Sequence, residues 1–406
     1  MNYQTHTLSN GFRLIFKHEK AAVAYCGLVV NAGSRDEHES EFGMAHFVEH
    51  MLFKGTEKRT SIHIINRLED VGGDLNAFTT KEETVVYSAV LKEYLERAVE
   101  LIADVVARSV FPQKEIEKEV EVILDEIEMY NDSPSELIYD DFEEMLFGTH
   151  PLGHHILGNV GLLGQYTTKD ALRFVQRQYR PERMVFFVAG DVPFKTIVRW
   201  CEKYFQFEAN TEPSMERKAP SNYKPIRKLI EKDTHQMHVA IGNRAYNMYH
   251  KDRLGMYLLN NILGGPGMNS LLNLSLREKR GLVYNVDSMY QSFSDTGEWC
   301  VYFGCDSANA DKCEQLVYNE LKKLRDKKLS ETVLKKYKLQ LMGQMAISSE
   351  NRESMALSLG KSFLRYGKVD DLDEIRKKID TITTEQLQRI ANEIFAADKL
   401  SILKYK

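Results

Sequence analysis

Two hydrophobic periods alternate along this chain. Around residues 84–89 the period is two: Thr84, Val86 and Ser88 alternate with Val85, Tyr87 and Ala89, the pattern of an antiparallel strand. In PQKEIEKEVEVILDEIEMY, residues 112–130, Ile116, Val120, Ile123 and Ile127 recur at helical spacing. The stretch RLEDVGGDLNAFTTKEETVVYSAVLKEYLERAVELIADVV strings such signals together. It reads as a helix end, glycines, a strand, a turn, a strand and a long amphipathic helix.

The series occurs twice. REKRGLVYNVDSMYQSFSDTGEWCVYFGCDSANADKCEQLVYNELKKL repeats it in the second half. GMAHFVEHML, from Gly43, is matched by GMYLLNNILG, from Gly255. Each half closes on a Thr-capped helix and a strand, TTKDALRFVQRQY…RMVFFV and TTEQLQRIANEIF…KLSIL. Three matches in one order indicate an internal duplication. Between the halves, EANTEPSMERKAPSNYKP carries Pro213, Pro220 and Pro225 and reads as a linker. The expected fold is α+β: two homologous domains, 1–208 and 226–406, joined by a linker at 209–225. Each would be an antiparallel or mixed sheet packed by helices.

One difference between the copies carries chemistry. The helix from Gly43 contains His46, Glu49 and His50; the second copy has Leu258, Asn261 and Ile262 opposite them. The fold therefore does not require the polar trio. Residues four apart share a helix face, so His46 and His50 are spaced to grip one ion, with Glu49 beside it. H-x-x-E-H is a zinc motif, and zinc accepts two imidazoles and a carboxylate while keeping a position for water. A third ligand is sought on the 112–130 helix. At about 100° per residue, Glu117, Glu121, Asp125 and Glu128 lie far from its apolar stripe. Glu119 and Glu126 border the stripe on one flank, where a carboxylate needs a partner. Glu115 shares that flank but sits in the first turn, where the helix dipole accounts for it.

Composition narrows the classes. The chain has 406 residues, enough for two domains, with 43% hydrophobic and 28% charged residues. A net charge of -5 and the lack of a basic block argue against nucleic acid. Five scattered cysteines without a C-x-x-C pair fit reduced thiols and a cytoplasmic location. The N-terminus reads as no leader, and AAVAYCGLVV is too short to span a membrane. His150, His154 and His155 fall in a Pro/Gly loop without a fixed face; His235 and His238 point to opposite sides of a strand. LGGPGMNSLL lacks the Gly-Lys-Ser/Thr of a phosphate loop and reads as a turn before a helix.

These residues resemble the pitrilysin family of zinc peptidases, the inverted zincins, as represented by the mitochondrial processing peptidase beta subunit and bacterial two-domain relatives. The family spaces a Glu ligand about 75 residues after H-x-x-E-H, and His50 to Glu126 fits. The resemblance implies one Zn²⁺ per chain on His46, His50 and Glu126, with Glu49 as catalytic base and acid and Glu119 supporting the site. It implies that Asn76 and Ala77, on an edge strand, and Arg277 and Tyr284, seven apart in LREKRGLVYNV, meet the substrate backbone. LGGPGMNSLL is similar to a shortened glycine-rich loop of the family's non-catalytic subunits. Ser270-Leu271 and Val283 depart from common family residues. The implied activity is a metalloendopeptidase acting on peptides or unfolded polypeptides in a closed chamber. A two-domain chain resembles half of that clamshell, so a homodimer is implied, with Arg277 and Tyr284 acting in trans. The rival is a partner or scaffold subunit of a heterodimer.

Overall fold

The computed structural model describes residues 3–207, 216–232 and 234–406. The chain divides into two compact units. One comprises residues up to Ile127, His155–Arg217 and Ile347–Asp371; the other comprises Glu128–His154, Lys218–Ala346 and Leu372–Lys406.

The first unit holds a six-stranded mixed sheet: β1 (Gln4–Thr7), β2 (Arg13–His18), β3 (Val23–Val30), β4 (Asp74–Thr79), β5 (Thr84–Leu91) and β6 (Met184–Gly190). The spatial order is β1-β2-β6-β3-β5-β4. The second holds β7 (Arg227–Ile230), β8 (Met237–Ala245), β9 (Val283–Ser292), β10 (Gly297–Cys305) and β11 (Ser401–Tyr405), ordered β7-β11-β8-β10-β9. Beyond β1 the two orders correspond strand for strand. In both, the parallel pair lies at the same place, β2 with β6 and β7 with β11, and the other pairs are antiparallel. The duplication read from the sequence is thus a duplication of topology.

The helices through both units are α1 (Met44–Met51), α2 (Ser61–Glu69), α3 (Leu95–Ala107), α4 (Gln113–Asn131), α5 (Pro134–Phe147), α6 (Val160–Leu163) and α7 (Thr168–Gln178). They continue with α8 (Phe194–Tyr204), α9 (Arg253–Gly264), α10 (Ala310–Asp326), α11 (Glu331–Ser349), α12 (Arg352–Tyr366), α13 (Leu372–Asp380) and α14 (Thr384–Ile394). Local chemistry sets their ends. Thr167 and Asp170 form a capping box at α7, and Thr383 Oγ1 accepts the Gln386 N–H at α14. The β4–β5 turn closes through a bond from Thr80 N–H to the Glu83 carbonyl, 2.8 Å.

Each sheet buries one face under its own helices. α1, α3 and α7 contribute Phe47, Val48, Val99, Ile102 and Phe174 to the first core, and α9, α10 and α14 contribute Leu259, Ile262, Val317 and Ile390 to the second. The other face of each sheet is apolar too and must also leave water. In the first unit α12 covers it, setting Met355, Ala356, Leu359 and Phe363 on Ile15, Val29, Val85 and Phe187. In the second unit α5 does so, setting Ile138, Phe142 and Leu146 on Ala240, Cys300 and Leu403. The units are therefore discontinuous in sequence, since α5 comes from the first half of the chain and α12 from the second.

The expected linker falls partly outside the described residues. Its described portion is anchored at both ends: Arg217 pairs with Asp36 at 2.7 Å, and Tyr223 donates to the Lys399 carbonyl at 2.8 Å. The cysteines are buried and unbridged. Among the described residues no helix is long and apolar enough to cross a membrane.

Candidate metal centre

The helix carrying the trio is held by its own N-terminus. The first N–H groups of a helix lack internal partners. Here the buried Glu37 carboxylate accepts from Gly43 N–H at 2.9 Å and Ala45 N–H at 2.7 Å. Gly43 has φ +100°, and a Cβ there would lie 2.8 Å from the Gly158 Cα and 2.9 Å from the Leu157 carbonyl oxygen. Only glycine fits both the dihedral and the approach. α1 is buried almost throughout, and His46 and Glu49 are each 8% exposed.

α4 runs past α1 in the opposite direction, so its two flank carboxylates meet the imidazoles in reverse order. Glu126 Oε2 lies 3.7 Å from His46 Nε2 and 3.7 Å from His50 Nε2. Two turns earlier, Glu119 Oε1 is 2.9 Å from His50 Nδ1 and Oε2 is 2.6 Å from Lys54 Nζ. Glu117, Glu121, Asp125 and Glu128 are exposed, and Glu115 pairs with Lys118 at 2.7 Å.

The donor set fits zinc. A nitrogen of each histidine and an oxygen of Glu126 lie within 4.8 Å of one another. Donors on one ion at about 2.0–2.1 Å in tetrahedral array lie about 3.3–3.4 Å apart. The two 3.7 Å separations are near that value and too long for hydrogen bonds. With Nδ1–H donated to Glu119, His50 presents the Nε2 lone pair, the usual way a carboxylate orients a ligating imidazole.

Burial and neighbouring charge divide the roles. Burial, then the charge of His50, pushes His46 down to about 3, so it is neutral and its Nε2 is free to bind. Burial alone would lower His50, but the hydrogen bond to Glu119 and the charges of Glu49, Glu119 and Glu126 outweigh it and raise it. Burial would raise Glu119, yet His50 and Lys54 hold it below the usual carboxylate range. Glu49 is raised by burial despite a hydrogen bond from Thr79. Its Oε2 is buried with no hydrogen-bond partner among the described residues.

Of the remaining candidates, Asn76, Ala77 and Tyr284 lie on edge strands and Arg277 on the short helical turn Asn273–Glu278. Asn76 and Ala77 are on β4, the outer strand of the first sheet, opposite Tyr87 and Val86. Counting from the hydrogen-bonded Thr80–Glu83 pair, the ladder alternation turns the main-chain groups of Leu75, Ala77 and Thr79 toward the free edge, and those of Asn76 toward β5. Arg277 and Tyr284 are in the second unit, together: the guanidinium carbon lies 5.9 Å from the ring centre of Tyr284, which is 85% exposed. Tyr284 is the second residue of β9, likewise an outer strand. Sequence reasoning missed three residues that position the site. Lys54 had a signal, being one turn after His50. Thr79 and Glu37 had none, because their partners are set by the β4–α1 packing and by a loop.

The sequence matches the family model described as Insulinase (Peptidase family M16) over residues 13–160 and that of the Peptidase M16 inactive domain over residues 165–341. A protein of Mycobacterium leprae (strain TN), described as an uncharacterized zinc protease, is 35% identical over 393 residues, 96% of this chain and 88% of that one. One of Bacillus subtilis (strain 168) with the same description is 31% identical over 396 residues, 97% and 96% of the two chains. A crystal structure of a peptidase M16 inactive domain from Pseudomonas fluorescens superposes with a TM-score of 0.91 at 22% identity, covering 100% of this chain and 98% of that one. A protease from Helicobacter pylori does so at 0.90 and 22%, covering 100% and 99%. The two structures speak for the fold; the sequence identities, sustained along nearly the whole length, go further. The chain belongs to the insulinase family, peptidase family M16, and is a metallopeptidase.

Proposed function

We propose that this chain is a zinc-dependent endopeptidase that hydrolyses peptides or unfolded polypeptides, with one zinc held by His46, His50 and Glu126. The observation that carries the reading is the convergence of two imidazole Nε2 atoms on Glu126 Oε2, with the unpartnered Glu49 Oε2 next to them on the same helix. A zinc ion there supplies Lewis acidity to water and to a peptide carbonyl. Glu49 Oε2 takes the proton of the attacking water and passes it to the leaving amine. A carboxyl whose pKa burial raises is a stronger base than an exposed one, suited to take a proton and hand it on. The Thr79 hydroxyl fixes the carboxylate's orientation. Glu119 holds the His50 ring through Nδ1, and Lys54 balances its charge. By our assignment Glu119 acts through His50 and is a positioning residue.

An extended peptide would add to the free edge of β4 beside Leu75, Ala77 and Thr79, held by main-chain bonds that read little sequence. Arg277 and Tyr284 would meet its backbone. Because one chain carries both the trio and this pair, we propose a homodimer enclosing a chamber, which light scattering on the purified protein tests. The activity is tested with an internally quenched unstructured peptide, with and without chelator. Cleavage should vanish with chelator and return with zinc. Glu49→Gln should keep zinc and lose cleavage; full activity in that variant would overturn the assignment.

A further inference from the structure

The face of the second sheet covered by α5 is not covered along its whole length. Ile138, Phe142 and Leu146 pack on Ala240, Cys300 and Leu403. Toward Ser135, at the start of α5, that packing gives way to an open cleft of about 440 Å³. Its walls are aromatic. Tyr139 and Tyr302 lie 5.3 Å apart between ring centres, tilted by 45°. Tyr302 is fixed by a 2.9 Å bond between its hydroxyl and His238 Nδ1. Tyr284 stands at the rim, its ring taken up by Arg277, which does not line the cleft.

One carboxylate faces these rings. Asp287 on β9 sits directly across from Tyr302 on β10, so both side chains lie on the cleft face. Asp287 Oδ2 accepts from Asn285 Nδ2 at 2.8 Å. Among the described residues no cation pairs with it, and it is the one carboxyl group among the residues that line the cleft. Burial raises the Asp287 carboxyl, and the Asn285 bond offsets only part of that. A half-buried carboxylate without a counter-ion, walled by electron-rich rings, is the complement of an organic cation.

We propose that this cleft binds the guanidinium or ammonium group of an arginine or lysine side chain, with Asp287 as counter-ion and Tyr139 and Tyr302 as walls. Placing that side chain on a substrate peptide rests on the peptidase reading above. The same chemistry in a free small molecule does not, and the two sources are separable.

The first arm needs no catalysis. Binding of N-acetyl-arginine amide and N-acetyl-citrulline amide to chelator-treated protein is measured by calorimetry. Citrulline keeps the shape and loses the charge. The arginine compound should bind about tenfold tighter or more, the size expected of a partly desolvated cation among aromatic rings. Asp287→Asn should remove the difference. Equal binding of the two compounds overturns the proposal without any variant being needed. The second arm compares quenched peptides differing by arginine or citrulline. Wild type should prefer arginine through KM, and Asp287→Asn should not. Arginine-selective binding with no peptide cleaved keeps the cleft and removes the peptidase reading. Cleavage with the same preference in Asp287→Asn removes the cleft from the substrate path.

Discussion

Glu119→Gln tests whether the carboxylate behind His50 works through the metal. Glu119 makes a 2.9 Å bond to His50 Nδ1 and a 2.6 Å bond to Lys54 Nζ, and its side chain is 6% exposed. In the variant the amide oxygen can still accept from His50, but its NH2 then faces the Lys54 ammonium, donor against donor. The negative charge that makes His50 a better ligand is gone. Loss of such an outer partner costs about 10- to 100-fold in metal affinity, or about 1.4–2.7 kcal/mol. At a free zinc level 1,000 times the wild-type Kd, bound metal stabilises the fold by about 4.1 kcal/mol, and the variant should keep about 1.4–2.7 of that. Competition with a chromogenic chelator reads the affinity, and thermal unfolding with and without zinc reads the stabilisation. Glu121→Ala, on the exposed face of α4, is the control and should leave both unchanged. Excess zinc should restore most of kcat, because Glu119 acts through the imidazole. Unchanged zinc affinity in Glu119→Gln refutes the positioning role, and so does a kcat that stays low with the metal site filled.

Gly43→Ala should destabilise the protein by about 1–3 kcal/mol in thermal unfolding, since it forces a Cβ into a left-handed position against two backbone atoms. Zinc affinity should fall with it, because the same backbone seats the first turn of α1. In the second unit, burial alone would raise the Asp252 carboxyl, but Arg389 and Gln386, at 2.7 and 2.8 Å, outweigh it and hold it below the usual range. That stability is present above the ordinary carboxylate pKa and is lost as pH falls through the depressed one, so Asp252→Asn should be the less stable protein near pH 7 and lose its disadvantage in acid-unfolding measurements below about pH 4.

Much of this architecture was written in local patterns. The strand–turn–strand–helix series of residues 74–107 and 283–326 appears as β4–β5–α3 and β9–β10–α10. Its signals are periods and turns that each segment carries within itself. The helix wheel of α4 separated Glu119 and Glu126 from Glu117, Glu121, Asp125 and Glu128 because one apolar stripe fixed the orientation of the whole helix. The exchange of α5 and α12 was not legible. An amphipathic helix states that it has an apolar face, not which of two similar sheets will cover it. Thr79 and Glu37 were hidden for a related reason. Their bonds join residues whose meeting depends on how β4 and the loop before α1 are placed, and nothing within either segment records that.

The duplicated fold supplies its own reference state for the site. α1 packs beside the outer strand β4 as α9 packs beside the outer strand β9. In α9 the positions matching the trio are Leu258, Asn261 and Ile262, all buried. A buried aliphatic side chain contributes about 1.5–3 kcal/mol over an exposed one. A buried carboxylate oxygen without a partner, as in Glu49, costs about 1–3 kcal/mol. The trio should therefore weaken the metal-free fold, with bound zinc offsetting the loss. Putting the second unit's residue at the first of these positions, His46→Leu, removes a buried ring nitrogen that has no partner among the described residues and leaves the His50–Glu119 bond in place. It should stabilise the metal-free protein by on the order of 1 kcal/mol after an allowance for imperfect packing. The variant should bind no zinc and cut no peptide. Thermal unfolding in chelator should place it above wild type, and unfolding in excess zinc should bring wild type level with it or higher. If the variant is the less stable protein in chelator, His46 is part of the fold's own packing, and the argument that a metal keeps it there fails.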